Sequence, residues 1–194
     1  MNIPNIIALI LLPAFYIIYS GKMLALRKRN IRANILGKGE KPRNSIVAEI
    51  VLRFVTVVCV PVQFFSVIFD GVVYSIPSFP FMCGFGLIMM FAGTVIFLSA
   101  ILAMRDNWRA GYNSEQDTQL VTEGIYGFSR NPAFVGFDLL YIGCALAFPN
   151  VINIIFATAG AVLFHIQILG EERFLEGMFG NAYRDYKAKV RRYI

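Results

Sequence analysis

Two clusters in the second half of the chain carry residue types that could do chemistry. Arg130 is followed by Asn131 and Pro132. Asparagine can cap a helix and proline is tolerated in its first turn, so a helix start is expected here. Its positive end, beside Arg130, suits a carboxylate or a phosphate. Just before it, Gly124 and Gly127 let the backbone turn and approach a ligand closely, while Tyr126 and Phe128 offer flat faces to a purine or a cation. The same residues would serve equally as an interfacial loop with a helix cap. The second cluster is Glu171, Glu172 and Arg173, at the end of an apolar run. A carboxylate pair there could bind an ammonium group, or could be the solvated first turn of an interfacial helix. Gln167 and Phe174 share a helical face with Glu171 by spacings of four and three, and His165 shares another with Glu172. His165 is the sole histidine. A polar residue in a membrane helix is a functional candidate, but the sequence offers no metal-ligand cluster around it.

The elements that must position these residues are apolar. The chain has 194 residues, 57% hydrophobic and 15% charged, against about 25% charged in a soluble domain. This composition predicts an all-α, polytopic integral membrane bundle of about five transmembrane helices, with the two polar clusters at its C-terminal end. The expected spans are Ile3 to Ala25, Ile46 to Phe69, Phe79 to Met104, Pro132 to Phe148 and Val151 to Leu169. The last two are separated only by Pro149 and Asn150, which implies an antiparallel hairpin. The first of that pair is short and contains Asp138. Gly84, Gly86 and Gly93 are expected to allow close helix approach. Glu49 and Arg53, four apart, are expected to pair on one helix face or to snorkel to the interface. Pro61 is expected to kink its helix. Cys59, Cys83 and Cys144 lie in apolar runs and read as packing residues.

The net charge of +6 is spread as a membrane protein spreads it, and nucleic acid is not an expected partner. Eight of the eighteen Lys and Arg residues lie between Lys22 and Arg43, and six follow Glu171. The segment from Asp70 to Pro80 and the Pro149-Asn150 turn carry none. This asymmetry predicts an N-terminus outside and a C-terminus in the cytoplasm, with both polar clusters on the cytoplasmic side. No Lys or Arg precedes Lys22, so the first run reads as a retained span rather than a cleaved leader. Two regions are expected: residues 1–104 with three spans, and 105–194 with the polar loop, the hairpin and a C-terminal helix. Nothing in the sequence sets an oligomeric state.

The order and spacing of the C-terminal residues resemble a known family. Leu120-Val121, Gly124, Tyr126, Arg130-Asn131-Pro132, Phe134 and Gly136 come first; after the hairpin come Glu171-Glu172, Leu175, Phe179-Gly180, Tyr183 and Tyr186. This pattern resembles the isoprenylcysteine carboxyl methyltransferases, and membrane phospholipid methyltransferases share much of it. The residues before Met104 are similar only in forming membrane spans. The resemblance implies that the C-terminal end of the bundle is a cytoplasmic cofactor-binding region. It implies S-adenosylmethionine as methyl donor, enclosed by Gln119, Leu120, Val121, Tyr126, Arg130, Asn131, Pro132, Phe134 and Glu171. Glu171 would take the donor's ammonium, Arg130 or the helix start its carboxylate, and the rings its adenine or sulfonium. Glu172 and Arg173 are then the candidate catalytic residues, and Gln167 and His165 the candidate substrate-binding residues. Two positions depart from the family: Asn131 stands where histidine is usual, and Gln167 where eukaryotic members place an arginine attributed to substrate binding.

The acceptor implied is a lipid-like or prenylated molecule reaching the site from the membrane, with membrane lipids as the other partners. A prenylcysteine-type carboxylate needs no general base. An amine, as in phospholipid N-methylation, must be neutral to attack, and would draw on Glu172 or His165. A nicotinamide-dependent lipid reductase and a non-catalytic lipid-binding membrane protein are the remaining readings. The first of these would call for more cations around a pyrophosphate than Arg130 provides.

Overall fold

A computed structural model describes residues 2–71, 76, 79–112 and 119–194. Parts of the expected loops at 70–80 and 110–130 therefore lie outside the described residues. The chain is all-helical, with α1 at Ile3–Lys28, α2 at Arg43–Ile68, α3 at Pro80–Met104, α4 at Pro132–Ala147, α5 at Val151–Phe179 and α6 at Asn181–Lys189. Short 3-10 turns occupy Arg105–Asn107 and Gly124–Gly127. An isolated parallel β bridge joins Asn34 and Ala110.

Four of these helices, α1, α2, α3 and α5, are long and apolar enough to cross a membrane. Their outward side chains are apolar too: Ile10, Phe54, Phe81, Ile88 and Val162 are all exposed. Such a surface is stable only against lipid, and the chain is an integral membrane protein. The fifth expected span, α4, is apolar but has 16 residues, below the ~20 that a spanning helix uses. It is covered on several sides by its neighbours rather than by lipid. Pro13 and Pro61 are accommodated inside the continuous helices α1 and α2.

The tightest packing is between α3 and α4, which run antiparallel. Gly86 faces Gly143, and Gly93 faces Gly136. A Cβ on Gly86 would fall 2.4 Å from the Gly143 carbonyl oxygen, and one on Gly93 would fall 2.6 Å from that of Gly136. Two glycines on each helix, seven residues apart, let the backbones touch, as small residues do where lipid supplies no hydrophobic drive. Gly84, expected to join them, has open space around it. Beside this seam Phe15, Phe97 and Phe137 form an aromatic knot, with ring centroids 4.6 to 5.1 Å apart.

The helical faces expected for Gln167, Glu171 and Phe174 are present, because α5 continues beyond the expected apolar span ending at Leu169, through Glu171, Glu172 and Arg173 to Phe179, where Gly180 takes φ +53° and ends it. Glu, Arg and Leu are good helix formers, and one glycine costs only about 1 kcal/mol. The 29-residue helix is roughly 44 Å long at 1.5 Å per residue, well beyond the ~30 Å apolar thickness of a bilayer. Its later turns carry the Glu171-Glu172 pair and pack against α6.

Between α1 and α2 the chain crosses the same end of the bundle as a strap. Ile35 N–H donates to the Ala110 carbonyl at 3.0 Å, and Ala110 N–H donates to that of Ala33 at 2.8 Å. Gly111, at φ +93°, lies so close that a Cβ would meet Leu36 N at 3.0 Å, so glycine is required here on both counts. Arg29 adds an exposed ion pair to Asp106 at 2.7 Å.

Candidate functional site

Under this strap lies a cavity of about 500 Å³, within the size range of small-molecule sites. Every helix contributes to it: Tyr16 and Tyr19 from α1, Arg53 from α2, Phe97 from α3, Phe137 from α4 and Gln167 from α5, together with Tyr183 and Tyr186 from α6. The lining thus draws on residues from both sides of Met104.

Of the residues named from sequence, Gln119, Leu120 and Val121 line this cavity along one wall. Tyr126, Arg130, Asn131 and Phe134 also face it, as do Gln167 and Glu171. Pro132 is the first residue of α4 and is buried. It contributes the turn rather than a wall. Glu172, Arg173 and His165 are not brought to the cavity. Glu172 is on the other side of α5, 4% exposed, and Arg173 is exposed, with Nε donating to the Leu169 carbonyl at 3.0 Å. His165 is exposed against Tyr193, ring to ring, with Nδ1 in hydrogen-bond contact with the phenol. Phe128, offered as a flat face, is 79% exposed.

Glu172 gathers the loop instead. It pairs with Arg130 Nη2 at 2.8 Å and with Arg192 Nη2 at 2.9 Å, and it accepts from Asn131 Nδ2 at 3.3 Å. The remaining Arg130 nitrogen donates to the Lys187 and Val190 carbonyls. All three guanidinium nitrogens are therefore occupied by the protein. The hydrogen bonds that Arg192 donates to Glu172 hold its guanidinium above its ordinary pKa. Ser129 and Asn131 reach the Arg192 carbonyl as well, so the C-terminal residues clasp the loop in front of α4.

The expected cap is absent. Asn131 makes no side-chain cap bond on α4, because its amide is turned to Glu172 and Arg192. Pro132 has no N–H, and the first intrahelical bond runs from Val135 N–H to the Asn131 carbonyl. The amides of Ala133 and Phe134 are left with no acceptor among the described residues, and both residues line the cavity. Unpaired first-turn amides form an anion-binding end.

Charge around the cavity is uneven. Among the described lining residues Glu171 is the single carboxylate, against Arg53, Arg109 and Arg130. Arg109 donates to the Asp106 and Trp108 carbonyls. The Arg53 guanidinium makes no hydrogen bond or ion pair with any described residue. Its expected partner Glu49 is engaged elsewhere, with Lys41 Nζ at 2.7 Å. Burial, and after it the Glu171 charge, push the Tyr126 phenol well above its usual pKa, so it stays a neutral hydroxyl. Burial raises Tyr183 to about 12. Tyr186 donates to the Tyr126 carbonyl at 2.7 Å, pinning α6 to the loop. Asn34 Oδ1, in the strap, is buried without a donor and lines the same space.

Sequence reading missed Asn34, Lys41, Glu49 and Arg53. The signal for the last two was present, since ionisable residues inside an apolar helix are functional candidates. Their four-residue spacing, read as an internal pair, hid it.

Fold and cavity together define an integral membrane protein with a cavity of small-molecule size at one end of its bundle. Residues 81–182, more than half of the chain, match the phospholipid methyltransferase family model, and the chain belongs to that family. Similar curated proteins include protein-S-isoprenylcysteine O-methyltransferase A of Arabidopsis thaliana, 32% identical over 109 residues, which is 55% of each protein. The enzyme of the same name from Xenopus laevis is 32% identical over 108 residues, 54% of this chain and 38% of that protein. That of Schizosaccharomyces pombe is 34% identical over 76 residues, 39% of this chain and 32% of the other. The chain thus spans about a third to a half of the length of these relatives. The matches establish a relationship to the isoprenylcysteine carboxyl methyltransferases.

Proposed function

We propose that this chain is a membrane methyltransferase that takes S-adenosylmethionine and methylates a lipid-like acceptor through a carboxylate of the prenylcysteine type. The observation that carries it is one cavity whose lining offers both a carboxylate and helix-start amides. Glu171 can hold an ammonium group, and the free amides of Ala133 and Phe134 can hold a carboxylate, which together describe the amino-acid end of the methyl donor. The residues also fit the rest of that molecule. Tyr126 and Phe134 present rings to an adenine or a sulfonium. Asn34 Oδ1 offers an unused acceptor to an exocyclic amine. Gln119, Leu120 and Val121 close the side. Arg130 and Asn131 shape the carboxylate end from behind, held there by Glu172.

S-adenosylmethionine supplies an electrophilic methyl group on sulfur. The protein's part is to align the acceptor oxygen with it and to exclude water. The Arg53 guanidinium, on α2 and unpaired among the described residues, suits an acceptor carboxylate entering from the membrane. It takes the place of the cation missing at Gln167. A carboxylate attacks without losing a proton, so no general base is required, and the distance of Glu172, Arg173 and His165 from the cavity is no obstacle. An amine acceptor, as in phospholipid N-methylation, would need a base in a lining where Glu171 is the sole described carboxylate. The distribution of Lys and Arg supports an N-terminus outside and a cytoplasmic cavity end.

The test is binding of S-adenosylmethionine to purified protein, followed by transfer of labelled methyl to a prenylated cysteine, to phosphatidylethanolamine, or to neither. Binding with transfer to the carboxylate is expected. Transfer only to the amine would overturn the acceptor assignment. Binding of reduced nicotinamide in place of S-adenosylmethionine would overturn the enzyme class.

A further inference from the structure

The cavity's single described carboxylate is not held by its own surroundings in α5 alone. Gln167, one turn before it, donates from Nε2 to Glu171 Oε1 at 3.0 Å and from the same nitrogen to Glu49 Oε1 at 3.1 Å. An amide nitrogen has two hydrogens, and here both are committed to carboxylates. Glu171 Oε2 receives no donor from any described residue, so one of its oxygens remains for a ligand. Gln167 is itself 4% exposed.

Glu49 is the fixed end of this relay. It is fully buried in the second turn of α2. Gly37 N–H donates to its Oε2 at 2.6 Å, and Lys41 Nζ donates to both oxygens, at 2.8 and 2.7 Å. The Lys41 side chain is 2% exposed, and its ammonium lies over the Tyr112 ring at 4.3 Å. A buried ion pair of this kind is weak support for a stabilising role, because desolvation offsets its attraction and an apolar pair would pack as well. What the pair does achieve is directional. Gly37 and Lys41 fill Glu49 Oε2, while Oε1, which also accepts from Lys41, has a second lone pair for Gln167, and Gln167 can then hold Glu171 in one rotamer.

We infer that Glu49 is a positioning residue for ligand binding: acting through Gln167, it orients Glu171 toward the ammonium of the methyl donor. The first connection of the chain, through Gly37 and Lys41, thereby forms part of the donor site. This inference rests on the donor assignment above.

A double-mutant cycle on S-adenosylmethionine affinity, with thermal melts alongside, tests it. Glu49→Gln is expected to weaken donor binding about tenfold, the scale of one charge-assisted hydrogen bond. In a Glu171→Gln background the same change is expected to cost less than about twofold, because its route to the ligand is already cut. Gln167→Leu removes the relay while leaving Lys41 and Glu49 paired, so it should reproduce both results even if Glu49→Gln folds poorly. Equal losses in both backgrounds, or no loss from either variant, would overturn the relay and leave the methyl-donor reading standing. No donor binding by the wild-type protein would overturn both.

Discussion

Arg130 and Glu172 form a buried salt bridge, 2.8 Å long, with side chains 8% and 5% exposed. It ties the loop before α4 to the far end of α5, and Arg192 joins it from the C-terminus. Removing one partner strands the other without water. Glu172→Gln should therefore destabilise the protein by about 3 kcal/mol, the low end for breaking a buried pair. Thermal melts of purified protein check this. A change in donor affinity with no change in melting temperature would show instead that Glu172 contacts the ligand.

Arg53→Gln should raise the Michaelis constant for a prenylated carboxylate acceptor about tenfold, as loss of a charge-assisted contact does. Donor affinity should stay within about twofold, since the residue belongs to α2 and not to the donor end. Steady-state kinetics beside donor titration separate the two. Equal effects on both would remove Arg53 from the acceptor site.

Gln167→Arg replaces an amide that bridges two carboxylates. An arginine there would pair with Glu49 and Glu171 directly, and would consume the carboxylate proposed for the ammonium. Donor affinity is expected to fall by more than about tenfold, by loss of a charge-assisted partner, rather than acceptor turnover to rise. Improved transfer to a carboxylate lipid would contradict the bridging role.

Gly93→Ala and Gly84→Ala form a matched pair. A methyl on Gly93 meets the Gly136 backbone at 2.6 Å, whereas one on Gly84 meets nothing within 4 Å. Overpacking at Gly93 should cost roughly 1–3 kcal/mol, and Gly84→Ala should be neutral. Unfolding in a detergent series reads the difference.

Much of this was legible in the chain. The apolar runs marked four long helices and a fifth, shorter one, because lipid exposure demands unbroken hydropathy. Gln119 to Phe134 and Glu171 were nameable because local spacing and family pattern coincide there. The 3.6-residue spacing of Gln167, Glu171 and Phe174 also carried the helix past Gly170. Two things were not legible, for physical reasons. The use of Asn131 depends on Glu172 and Arg192, tertiary partners that outcompete the local cap. The link from Glu49 to Gln167 joins residues 118 positions apart, which no local spacing can reveal.

The bridge between Asn34 and Ala110 is made of main chain alone. Backbone groups are the same for nearly every residue, so selection acting on this closure leaves almost no imprint on side-chain identity, apart from the glycine at position 111. The closure can therefore survive side-chain replacement at Ala33, Ile35 and Ala110, while the side chains of Asn34 and Lys41, in the same strap, carry duties of their own.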